Sequence, residues 1–132
     1  MVEMVFVLPL LLLLVFAIAQ FGLMFSRWLT LSNAVREGAR EAVVFRSPCN
    51  SGQVENAVRN RVVQYANAGG VPIGNGDVDV TGACAGEGTD AIVQADFDFS
   101  LHVPFAPSLG DSTSGCAIPC IRLDYTSTMR NE

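Results

Sequence analysis

The sequence predicts an α+β protein: a long N-terminal helix whose first half is membrane-like, a second short helix, and a small antiparallel sheet. Three observations carry that prediction. An uncharged apolar run fills Met4 to Phe25. A helical hydrophobic period then continues well beyond it. After the turn-forming stretch Val71 to Gly76, the period changes from helical to two.

The apolar run reads M-V-F-V-L-P-L-L-L-L-L-V-F-A-I-A-Q-F-G-L-M-F, broken only by Pro9, Gln20 and Gly22. As a helix, its 22 residues span roughly 33 Å, about one hydrocarbon core. A helix satisfies its own backbone polar groups, as a segment in lipid must. A cleaved secretory signal is the alternative, since Ala17-Ile18-Ala19 reads A-x-A. Against it, no basic residue precedes the run, and the helical pattern continues past any such cut.

From Arg27 onward, Trp28, Leu31, Val35, Ala39, Ala42 and Phe45 recur at three- and four-residue spacing. Arg36, Glu37, Arg40 and Glu41 take the other face, so the helix continues as an amphipathic extension. Arg27 and Trp28 stand where a headgroup-level cation and an interfacial aromatic are expected. Pro48 disfavours helical geometry at Ser47, which predicts a helix end near Arg46. Gly38 in the helix interior costs about 1 kcal/mol of propensity relative to Ala. It is either a tolerated imperfection or a point of close packing.

A second helix is predicted from an N-cap at Ser51 to Asn67, with Val54, Ala57, Val58, Arg61, Val62 and Tyr65 as its stripe. Gly69-Gly70 ends it. Three alternating runs follow: Asp77 to Thr81, Ile92 to Val103 and Ile121 to Met129. Their predicted inward residues are Val78 and Val80; Phe97, Phe99 and Leu101; and Ile121, Leu123 and Tyr125. The helices cover the apolar face of this sheet. The resulting division is 1–46 for the N-terminal helix (4–25 transmembrane, 26–46 extension) and 47–132 for a small extracytoplasmic domain.

Charge is unevenly distributed. Residues 1–46 carry four arginines against three acids, and the remainder four arginines against ten acids, with no lysine anywhere. So acidic a C-terminal part argues against nucleic acid as a partner, because little in it could neutralise phosphates. Cys49, Cys84, Cys116 and Cys120 all follow the apolar helix. An even count outside the cytosol suggests two disulfides, for which three connectivities exist. Cys49–Cys84 with Cys116–Cys120 is the preferred set; free thiols and a metal site are the alternatives. Zinc lacks its signature, as no C-x-x-C pair occurs and His102 is the lone histidine. Arg27 after the span and Glu3 before it would place the C-terminal part inside by the positive-inside rule. Cysteine usage places it outside, and that placement is the expectation here.

Little in the chain looks catalytic. Asp77/Asp79 and Asp96/Asp98 are same-face carboxylate pairs that could together hold calcium, though a solvated strand face is the plainer reading. His102 has no nucleophile motif to serve, and the short G-N-G-D and G-E-G-T loops do not form a phosphate cradle. No enzyme activity, cofactor or metal is expected.

Val2 to Val43 combines an acidic residue, an apolar run with an early Pro, F-G at Phe21-Gly22, and N-A-V-R-E-G-A-R at Asn33 to Arg40. This stretch resembles the TadE-like family, pilin-like proteins of the tight-adherence (Tad or Flp) pilus systems. The likeness is weaker beyond it, where the alternating strands and closing T-S-T-M-R look similar. The resemblance implies that Asn33, Ala34, Arg36, Glu37, Gly38, Ala39 and Arg40 form the family motif. It also implies a basic leader upstream of Met1, removed by a prepilin peptidase so that Glu3 becomes about the fifth mature residue. Glu3 would then register assembly by pairing with a neighbour's new N-terminal amine, since an unpaired carboxylate at the edge of lipid is expensive. Pro9, Gly22 and Gly38 are the candidate helix-packing positions.

The expectation is therefore a non-enzymatic, membrane-anchored minor pilin-like subunit. Its implied partners are the lipid bilayer, other pilin-like subunits, the pilus assembly platform and the prepilin peptidase. The competing reading is a single-pass anchored binding module that never enters a filament.

Overall fold

In the computed structural model the described residues are 2–44, 50–100 and 120–131. Helix α1 runs over Val2–Ala42 and α2 over Ser51–Ala68. A 3-10 turn at Asn75–Asp77 leads into strands β1 (Val78–Thr81), β2 (Asp90–Ser100) and β3 (Cys120–Arg130). The sheet has the order β1-β2-β3 with both pairings antiparallel. The α+β architecture predicted from the sequence is the one observed.

Pro9 lies inside α1 without ending it. The helix stops at Ala42, short of the predicted Arg46, which lies outside the described residues. Val43 N–H still donates to the Ala39 carbonyl at 3.3 Å. Val43 and Val44 are adjacent β-branched residues, poor helix formers, and the chain turns there before the constraint from Pro48 applies.

Helix α2 is capped by Asn50 rather than Ser51. Asn50 has extended backbone angles (φ −113°, ψ 106°), and its Oδ1 accepts from Gln53 N–H at 3.4 Å. At the other end Val71 N–H donates to Ala66 O at 2.9 Å and Gly70 N–H to Asn67 O at 3.1 Å. These two bonds form a Schellman motif, with Gly70 supplying the left-handed residue (φ +80°). The buried row is Val54, Val58, Val62 and Ala66. Arg61 and Tyr65, predicted on the stripe, are exposed, because the row that meets α1 and the sheet follows a strict four-residue spacing.

One core joins Leu31, Ala34, Val35, Ala39 and Ala42 of α1 to that row and to Val78, Val80, Ala91, Val93, Ala95, Phe97, Phe99 and Leu123 of the sheet. Tyr125 packs partly buried against it. Ile121, predicted inward, shares the face of Leu123 by strand alternation but is 40% exposed, since it lies at the strand's end beyond the helical cover. Leu101 and His102 lie outside the described residues. Val93 sits beside Gly38 while Phe97 and Phe99 lie against Arg27, so β2 runs back along α1 toward its apolar half. That half, from Met4 to Phe25, exposes nearly all of its large side chains.

Candidate functional site at the helix–head junction

The chemistry-bearing residues of α1 gather where it meets the head, the unit formed by α2 and the three-stranded sheet. Gly38 is buried, and a Cβ built on it would collide with Val62 Cγ2 while lying 3.5 Å from Val58 Cγ1 and 3.7 Å from Val93 Cγ1. The missing side chain lets α1 approach α2 and β2 together. Ala34 and Ala39, both fully buried, keep the same face low.

The polar residues between them turn outward and make specific bonds. Arg36 Nε donates to Tyr125 Oη at 3.0 Å, with its guanidinium carbon 5.6 Å from the ring centre. Glu37 pairs with Arg61 of α2 at 3.2 Å. Both partners are well exposed, so this pair adds little stability. Asn33 and Arg40 face solvent.

One to three turns lower, toward the apolar half, an aromatic column continues the junction. Tyr125 meets Trp28 edge-on (centroids 6.3 Å, interplanar 79°), and Trp28 stacks against Phe25 at 6.1 Å. Arg27 lies over Phe97 and Phe99, 5.9 and 5.0 Å from their centroids. Thr30 fills the space beside Gly69, where a Cβ would strike its methyl group.

Other expected sites have other settings. Pro9 and Gly22 are exposed, and nothing lies within 4 Å of a Cβ built on Gly22. Glu3 belongs to α1, but its side chain lies outside the described residues. So do Cys49, Cys116 and the Cys120 side chain, and neither expected disulfide pairing falls within them. Among the described residues no cysteine is free, and Cys84 takes a positive φ of 65° in the turn after β1.

The acidic strand face is not arranged as a calcium cage. The register sets Gln94 opposite Asp79, Asp124 opposite Asp96 and Arg122 opposite Asp98. Arg122 spans Asp96 and Asp98 at 3.6 Å each. Asp77 is in the 3-10 turn, where its carboxylate accepts from Gly74 N–H at 2.8 Å. Among the described residues no group of three or more His, Cys, Asp or Glu is placed to hold a metal.

Sequence reasoning did not find the Arg36–Tyr125–Trp28 contact or the anchoring of Asn131. Asn131 Nδ2 donates to Gly82 O at 3.2 Å and Ala85 O at 3.1 Å, pinning the turn that holds Cys84. The inward prediction for Tyr125 was a partial signal for the first. The second had none, because it joins segments far apart in the chain.

Residues 1–40 match the family model described as TadE-like protein. The N-terminal segment is TadE-like. No curated protein and no solved structure matches the chain. The TadE-like segment ends at Arg40, two residues before α1 does, so it takes in the apolar half and nearly all of the head-docking face. Its apolar helix, long and apolar enough to cross a membrane, fits a single-pass anchor.

Proposed function

We propose that the protein is a non-enzymatic, membrane-anchored minor pilin-like subunit of a Tad pilus, contributing to pilus biogenesis, adhesion or secretion. The observation that carries this reading is the continuity of α1. One unbroken helix offers an uncovered apolar half to lipid or to neighbouring helices, and its other half is the spine of a folded head. The TadE-like match over residues 1–40 supports the pilus assignment.

In this reading α1 waits in the cytoplasmic membrane with the head outside, then is extruded among the apolar helices of other pilin-like subunits by the assembly platform. Prepilin peptidase processing exposes the N-terminus, and Glu3 registers each subunit against its neighbour. Disulfides Cys49–Cys84 and Cys116–Cys120 close the head in this reading, in keeping with an oxidising compartment; of the described residues the observation that no cysteine is free bears on Cys84 alone.

The deciding experiment is the mature N-terminus of the full-length gene product, by intact mass and peptide mapping, with and without the prepilin peptidase. Peptidase-dependent cleavage that makes Glu3 the fifth residue, with recovery in sheared pili, is the expected result. An unprocessed chain that stays in the membrane would overturn the proposal in favour of an anchored binding module.

A further inference from the structure

We infer that the head does not stand clear of the bilayer on a stalk but seats its lower edge on the lipid phosphate layer, with Arg27 as the phosphate-binding residue. This rests on the reading of α1 as a membrane anchor. The apolar run ends at Phe25, so Arg27 stands about 3 Å further along the helix axis. The Phe99 ring, near the end of β2, lies close to that level, with its centre 5.0 Å from the Arg27 guanidinium carbon. Met24, inside the apolar run, already packs against the head's core. A bilayer that covers Met4 to Phe25 therefore meets the edge of the head.

The chemistry of that edge suits an anionic headgroup. Among the described residues Arg27 makes no ion pair, and its guanidinium lies over the two rings. Ring faces hold a guanidinium while leaving its in-plane N–H donors unused, and those donors match phosphate oxygens. At this level of α1, Phe25, Trp28 and Leu29 are large apolar side chains with 37 to 49% exposure, and Ile121, opposite Phe99 in the sheet, is 40% exposed. An aromatic and apolar fringe beside a cation is what the headgroup layer accommodates. The occupant we assign is the phospholipid bilayer, and a second copy of the chain is an outcome of the test.

The full chain would be reconstituted in vesicles of phosphatidylcholine, with or without phosphatidylglycerol. Trp28 is the single tryptophan, so its emission reports this edge alone. Carbonate extraction tests the anchor separately: a chain released by carbonate has failed as an anchor, whatever its fluorescence does. For a chain that stays embedded, lipids brominated near the glycerol end should quench Trp28 at least twofold. Phosphatidylglycerol should shift its emission to the blue in a salt-sensitive way. Arg27→Gln should remove that lipid dependence and Arg27→Lys should retain part of it. Near-ultraviolet circular dichroism in maltoside micelles would verify that each variant keeps its fold. An embedded chain with unquenched Trp28, or with identical lipid responses in wild type and Arg27→Gln, would overturn the inference. Quenching that disappears as the protein-to-lipid ratio rises would also overturn it, by showing that a second copy covers the edge.

Discussion

Gly38 of α1 and Val62 of α2 meet so closely that the glycine's missing Cβ is what admits the valine's methyl group. Val62 is fully buried and β-branched, so it has one comfortable side-chain rotamer in its helix and little room to yield. Gly38→Ala sets a propensity gain of about 1 kcal/mol against an overpacking penalty of about 1–3 kcal/mol. The penalty should win, lowering the unfolding temperature in detergent. Val62→Ala in the same chain should recover part of the loss, giving a coupling detectable in a double-mutant cycle.

Tyr125 ties β3 to α1 in two ways, by accepting from Arg36 Nε and by meeting Trp28 edge-on. Tyr125→Phe removes only the acceptor and should cost about 0.5–1.5 kcal/mol at most, the value of one hydrogen bond. Tyr125→Ala also removes the ring and should shift Trp28 emission in detergent, which Tyr125→Phe should leave nearly unchanged. Equal emission from both variants would show that the ring contact is not formed in solution.

Local pattern foretold most of the architecture and little of the junction. The change of period from helical to two after Gly76 anticipated the switch from helices to sheet, and Gly69-Gly70 anticipated the end of α2. Boundaries moved where neighbouring residues compete: Asn50 outbids Ser51 because it already holds extended angles, and Val43-Val44 turn the chain before Pro48 can. Ile121 is more exposed than its alternation predicts, because alternation fixes which face a side chain occupies but not how far the covering helices extend. The N-A-V-R-E-G-A-R stretch was legible as a motif. What it packs against was not, because Val62, Val93 and Tyr125 reach it only through the tertiary fold.

The capping assignment separates two adjacent residues. Asn50→Ala should destabilise the head by about 0.5–2 kcal/mol, since it removes the acceptor for Gln53 N–H at the start of α2. Ser51→Ala should be close to neutral, because position 51 is already the first helical residue. Denaturant midpoints of the two variants settle the assignment. A larger loss for Ser51→Ala would return the cap to the serine.

Asn131 holds the end of β3 against the turn between β1 and β2. Its backbone N–H donates to Thr89 O and its carbonyl accepts from Gly88 N–H, each at 2.9 Å. Its side chain adds the two bonds to Gly82 and Ala85. Gly82 can take no side chain, since its φ is +77° and a Cβ would run into the Asp90 carbonyl. Asn131→Ala leaves the backbone pairing in place but strips the partly buried Gly82 and Ala85 carbonyls of a donor. The expected cost is about 1–3 kcal/mol. Amide exchange should rise over residues 82–89 well before global unfolding, while α1 and α2 remain protected. Unchanged exchange in that turn would mean that the Cys84 segment is held by something other than the Asn131 side chain.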